Sequence, residues 1–459
     1  METNAEIASA GTRTDVQARA TRLFVRMWAV AHVLHLLIAD RNALDTPWNI
    51  AVVATAIILL LHPGAGRLLA TLAVLQLIEY VAEMPLSPDH WALVSFVNIA
   101  LLLTMLVTRS TALESVTKAL PAARLILLVA YGAAAVSKWN TSFLDPLTSC
   151  ANALADVVSH GLIGPVSESH TLSYGAAITE AMVFLLLTVP RTRCWGVLLG
   201  MTFHFTLSSS PTLVVGDFTS TVFALFVLFL SPELASRVLD RTSSWAARSA
   251  IARDARRHPL ATAAIAFVVL GFGGYLAMAV TMAGMYVFEQ LYFIGLLIAT
   301  ALSVREQRAA SPLGRIRLVH LPVVAMAVLW ALNPYLGLRT TGSFTMFSNL
   351  RTESPAPNHL FMPSFRLTDW QDEMVTVTGS NDPQLRTGAE NRLAVPVVTL
   401  RRMATDDRDL EVTGLLHGRN VRFGPGPGQV RLQPLSWWQH KLFLLRPVTT
   451  DDRPFCSQS

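Results

Sequence analysis

The feature that most constrains this chain is a succession of apolar runs between residues 20 and 336, each roughly 16–24 residues long. An α-helix rises about 1.5 Å per residue, so such a run reaches across about 30 Å of hydrocarbon. A helix also satisfies its own backbone where no water is present. The runs predict about eleven spans, near 23–39, 47–62, 66–82, 91–108, 122–138, 174–190, 194–210, 217–231, 259–282, 286–303 and 318–336. Some are short, so the expected architecture is an all-α polytopic transmembrane helix bundle of about 9–11 spans over residues 23–336. A cytoplasmic tail (1–22) precedes it and a small β-rich soluble domain (337–459) follows.

Charge is scarce and clustered. Charged residues make up 15% of the chain, against about 25% in soluble domains. The net charge of +5 lies in short loops, which argues for topology signals rather than nucleic-acid binding. Arg13, Arg19, Arg22 and Arg26 mark the tail; Arg67, the Arg109–Arg124 stretch, PRTR, RVLDRTSSWAARSAIARDARRH and Arg305–Arg317 mark later loops. Every second loop is basic, which predicts a cytoplasmic N-terminus and an extracytoplasmic C-terminal domain. No cleavable signal peptide is read at the start, so the first helix is expected to act as the insertion signal. Of the three cysteines, Cys150 and Cys456 are both expected outside, a pairing that the sequence leaves open.

After Asn333-Pro334 the pattern changes. EMVTVTG, LAVPVVTLRR, LEVTGLLHGRNVRFG, QVRLQP and HKLFLLRPV alternate apolar and polar residues between Gly, Pro and Asp turns, which predicts a small antiparallel sheet.

Ionisable residues within spans are costly and so are site candidates. They gather at the expected outer face: His35, Asp40, Glu79, Glu83, His90, Lys138, Glu180, His204 and Asp217. Each has a plainer reading. A lysine at a helix end commonly snorkels to the headgroups. A lone histidine is more often hydrogen-bonded to a neighbouring helix than reactive. Asp217 and Glu83 read as solvated interfacial charges, and His35 carries little signal. Glu180, among Ala, Ile, Val and Phe, needs a partner or a water-filled cavity.

Four blocks, in order, resemble the membrane core of the vitamin K-dependent γ-glutamyl carboxylases and the related bacterial horizontally transferred transmembrane (HTTM) family. They are SPDHWALVSFVNIALLL with His90, YGAAAVSKWNTSFLDPLTSC with Lys138, TEAMVFLLLTVPRTRCWGVLLGMTFHFTLSSSP with Glu180 and His204, and VVGDFTSTVFALFVLFLSPE with Phe218. GSFTMFSNLRTE is similar to the post-membrane segment of bacterial members. The resemblance implies a membrane enzyme that uses a reduced quinone (vitamin K or menaquinone hydroquinone), O₂ and CO₂ to carboxylate a peptide or other substrate at the outer face. Lys138 would be the base toward the quinol, His90 and His204 would orient oxygens with Phe218 alongside, and Glu180 would fix a cation or a histidine tautomer; no metal is called for. Ser137 stands where the vertebrate enzymes carry a second lysine. The alternative is a non-carboxylating member of the same scaffold that aids maturation or export of a secreted peptide. A transporter is disfavoured because no inverted repeat and no paired broken helices are read.

Overall fold

In a computed structural model of the protein, the described residues are 4–39, 46–108, 112–159, 162, 168–210, 215–248, 275–306, 312–353, 357–390, 392–449 and 456. The chain is mostly helical with a small antiparallel sheet. The helices are α1 (Asn4–Leu34, continued by a π-turn, His35–Ala39), α2 (Pro47–Leu61), α3 (Gly66–Glu83), α4 (Asp89–Thr108), α5 (Ala112–Ser137), α6 (Thr141–Leu144), α7 (Cys150–Ser159) and α8 (His170–Thr188). They continue with α9 (Arg193–Ser208), α10 (Gly216–Phe226), α11 (Pro232–Arg248), α12 (Tyr275–Glu306) and α13 (Leu321–Leu336).

Five stretches among the described residues are long and apolar enough to cross a membrane: Asp89–Thr108, Leu113–Ser137, His170–Thr188, Ala283–Glu306 and Leu318–Leu336. They match five of the expected spans, and they make this an integral membrane protein. The other expected spans do not reach this standard, and 259–274 lies outside the described residues. The reasons are physical. α2 has 15 residues, about 22 Å of helix at 1.5 Å each. α3 carries Arg67, Glu79 and Glu83. On α12, Val287, Phe288, Leu291, Ile294 and Ile298 point outward, while Glu289, Phe293, Leu296 and Ala299 are buried. An outward apolar stripe at helical spacing is what lipid contact requires.

Residues group into two compact units, each described separately. The first comprises 1–76, 97–125 and 182–321. In it α1 packs on α2, α10 and α11. Its polar anchors are buried: Trp28 Nε1 donates to Asn98 Oδ1 at 3.0 Å, and Asn98 donates to Gln76 at 2.9 Å. Arg124 is held by the carbonyls of Leu228, Pro312 and Leu313.

The second unit comprises 77–96, 126–181 and 322–459. Its sheet has five antiparallel strands in the order β4-β3-β1-β2-β5: β1 (Met374–Ser380), β2 (Leu393–Pro396), β3 (Val412–Leu416), β4 (Arg419–Phe423) and β5 (Val448–Thr449). Val375, Val377, Val395, Val412 and Phe423 form its core with Leu385, Leu400 and Leu410. The expected strand LAVPVVTLRR ends at Pro396, which lacks the ladder donor. From Val397 the chain turns helical (α15, Val397–Asp406, after α14, Pro383–Glu390), with Val398, Thr399 and Leu400 buried. HKLFLLRPV is split between α16 (Trp437–Leu442) and β5, while QVRLQP makes a single bridge, at Val430. A disulfide joins Cys150 on α7 to Cys456, and Cys194 is free and buried.

Candidate functional site

Within the second unit the sequence around Lys138 builds a small polar cage at the end of an apolar helix. Gly132 and three alanines carry α5 to Ser137. There Asn140 stops the helix and starts the next: its Oδ1 accepts the Phe143 amide at 2.8 Å, capping α6, and its Nδ2 donates to the Ser137 carbonyl at 2.7 Å. Lys138 Nζ lies 2.8 Å from Glu180 Oε2 and donates to the Met346 carbonyl at 2.8 Å. The Phe143 ring lies beneath the ammonium at 5.5 Å. Both charged side chains are buried, at 4% and 10% exposure. Tyr131, about two helical turns back on α5, is buried.

The carbonyl that Lys138 grips belongs to an unusual strap. Phe344, Met346, Phe347 and Asn349 all have positive φ, at 63°, 33°, 50° and 49°. Left-handed backbone is costly for bulky residues, about 1–3 kcal/mol each, and persists only where the surroundings over-determine it. Here the surroundings do so. Asp89 accepts the amides of Phe344 and Met346, a carboxylate seated in a backbone nest. Ser137 Oγ donates to the Thr345 carbonyl and Asn140 Nδ2 to the Ser348 carbonyl. Asn358 Nδ2 donates to the Asn349 carbonyl at 3.0 Å. Arg339, fully buried, stacks over Trp330 and donates to the Pro85 carbonyl. Burial lowers its guanidinium from the ordinary value, and the charge of Asp89 opposes that.

His90 follows Asp89 at the start of α4 and is buried edge-on to Trp91, whose Nε1 donates to Glu79. His359 is half-buried: its Nε2 contacts the Val136 carbonyl at 2.9 Å, and its Nδ1 accepts the Met362 amide at 3.0 Å. That pattern requires the neutral ring with its proton on Nε2. Burial lowers its pKa from the ordinary value, against the bond to Val136.

In the first unit, His204 on α9 is buried and meets Phe218 edge-on, with centroids 4.9 Å apart. Phe226 lies 6.1 Å away. Asp217 is not a solvated charge: it is buried and pairs with His35 Nδ1 at 3.0 Å. Of the sequence-based candidates, Lys138 associates with Glu180, His204 with Phe218 and Asp217 with His35, while His90 sits beside Trp91 and Asp40 lies outside the described residues. Asp89, Asn140, Tyr131 and His359 are absent from those candidates, and the pairing of His35 with Asp217 was not read although both residues were. Adjacency to His90 was the signal available for Asp89.

Chemically, an amine and a carboxylate in contact can exchange a proton and can grip a hydroxyl between them. The chain matches no known protein-family model, no curated protein and no solved structure.

Proposed function

We propose that this protein is an integral membrane enzyme of the γ-glutamyl carboxylase-like kind, in which Lys138 and Glu180 manage the hydroxyl proton of a reduced quinone. The observation that carries this reading is the buried Lys138–Glu180 pair at the end of an apolar span. A lysine serves as base only once it has lost a proton, and Glu180 is placed to take it. The Met346 carbonyl then directs the amine. The donor set suits a hydroquinone: an amine, a carboxylate and the Phe143 ring face. Bound, a reduced vitamin K or menaquinone would supply the electrons for reaction with O₂. This reading also assigns His204 and Phe218, a polar-aromatic pair within the first unit, and His90, a buried imidazole within the second, to quinol chemistry, each taken by itself. The finer architecture of 9–11 spans with the N-terminus in the cytoplasm belongs to the same reading. The Cys150–Cys456 disulfide supports an extracytoplasmic sheet region, since such bridges persist in oxidising compartments. A peptide substrate would meet the site from that side.

The test is quinol consumption by protein in lipid nanodiscs with O₂ and bicarbonate. Wild type should oxidise reduced menaquinone or vitamin K, Lys138→Met should abolish this, and Glu180→Gln should reduce it. One observation favours a second reading. Glu180, the Met346 carbonyl and the Phe143 ring already engage the Lys138 ammonium, as they would in a structural lock of a non-carboxylating protein that aids maturation or export of a secreted peptide. Equal inertness of wild type and Lys138→Met across quinols would select that reading.

A further inference from the structure

A second buried acid lies far from Lys138 in sequence and is used by neither reading. Glu289 on α12 is 4% exposed. Its neighbours Phe288 and Leu291 face outward, so Glu289 points away from them into the first unit. The register of α12 is fixed on α9: Tyr286 donates to the Ser209 carbonyl, and Gln290 donates to the Ser208 carbonyl at 2.8 Å. That register lays the Glu289 carboxyl directly on Gly216, the first residue of α10, in the space that a Cβ would fill. Among the described residues Glu289 makes no hydrogen bond and no ion pair. The next residue, Asp217, is a second buried carboxylate whose charge acts on Glu289, and its own partner is His35.

Two carboxylates in one low-dielectric interior, Asp217 paired with His35 and Glu289 lying on the adjacent Gly216, raise the cost of ionising both. We propose that Glu289 and the Asp217–His35 pair form a proton-binding site within the membrane-spanning part of the chain, with Glu289 holding an exchangeable proton as a neutral carboxylic acid. The step is simple: the Glu289 carboxylate takes one proton from water and releases it again, with no bond to carbon formed or broken. Asp217, tied to His35, is the fixed negative charge that keeps that proton in place. The other titratable groups on elements packed against α12 are Arg193, Cys194 and His204 on α9, and on α11 Glu233, Arg237, Asp240, Arg241 and Arg248; Asp240 engages Arg19, and Arg237 and Arg241 engage Glu306. On α12 itself, Tyr286 and Tyr292 flank the acid.

Dicyclohexylcarbodiimide adds only to protonated carboxyls. Applied to the full chain in lipid at neutral pH, it should label Glu289, and labelling should fall several-fold as the medium is made alkaline. Infrared difference spectra between wild type and Glu289→Gln should show the carbonyl stretch of one protonated carboxyl, and this measurement does not depend on reagent access. Glu289→Gln, a neutral isostere, should melt at the wild-type temperature. A missing carbonyl stretch overturns the proposal. So does a fall of several degrees in the Glu289→Gln melting point, which would mark an ionised, paired carboxylate. Protection from labelling by Na⁺ but not by choline would overturn it in favour of a cation site.

Discussion

Breaking the Lys138–Glu180 pair one side at a time should cost far more than removing both sides together. At 2.8 Å two unit charges attract by about 6 kcal/mol at an effective dielectric of ~20. Each buried ion forfeits several kcal/mol of hydration, so the net worth of the intact pair is small. The single variants differ, because each strands one charge. Lys138→Met leaves a buried carboxylate, and Glu180→Leu leaves an ammonium whose other partner is the Met346 carbonyl. Each should destabilise by about 3–5 kcal/mol, while the double variant should lie within about 1–2 kcal/mol of wild type. Equilibrium unfolding of the four proteins in mixed micelles closes the cycle. A coupling energy below ~0.5 kcal/mol would refute the reasoning, since contacting buried charges couple far more strongly than exposed ones.

The same structure makes other predictions. Asp89→Ala removes the acceptor for two strap amides and should destabilise by about 2–4 kcal/mol, with limited proteolysis newly cutting between residues 342 and 350; Asp89→Asn, which keeps one carbonyl oxygen, should be milder. His359 titrates below its ordinary value of 6.5 in the folded chain. The unfolded chain therefore binds the proton first as pH falls, so stability should be unaffected above about pH 7 and decline below about 6.5; melting curves of wild type against His359→Gln should show the slope flattened in the variant. Cys150 and Cys456 are 306 residues apart in sequence, and reducing their bridge should lower stability by about 2–4 kcal/mol, because membrane insertion already confines the loop that it closes; peptide mapping without reductant should recover the linked pair.

Much of the architecture was legible in the amino-acid sequence because hydrocarbon imposes a length. The runs ending at Thr108, Ser137, Thr188, Glu306 and Leu336 are also long helices. The same rule overcounts where a run is long as text but short as helix, as in α2, or where charges such as Glu79 and Glu83 interrupt it. Lys138 and Glu180 stood out because charge on an apolar face is expensive. Their contact did not, since it depends on how α5 and α8 meet. The strap was invisible for a different reason: Phe344, Met346 and Phe347 carry no glycine signal for positive φ, and their conformation is set by Asp89 from another part of the chain. Asp217 looked solvated because its partner, His35, lies 182 residues earlier. In the sheet region, VVTL carries strand-forming residues, yet Pro396 ends the ladder before it and helical packing takes over.

The strap also has a bearing on the order of synthesis. Lys138 waits for the Met346 carbonyl, 208 residues downstream, whereas Glu180 emerges much sooner. A nascent chain therefore holds its lysine and acid in the bilayer long before the segment that caps them exists. The pair has to be self-sufficient early, with each charge neutralised by the other, and the strap closes over an ion pair already made. A chain arrested before residue 344 would carry this polar centre uncovered, which is the form most exposed to membrane quality control.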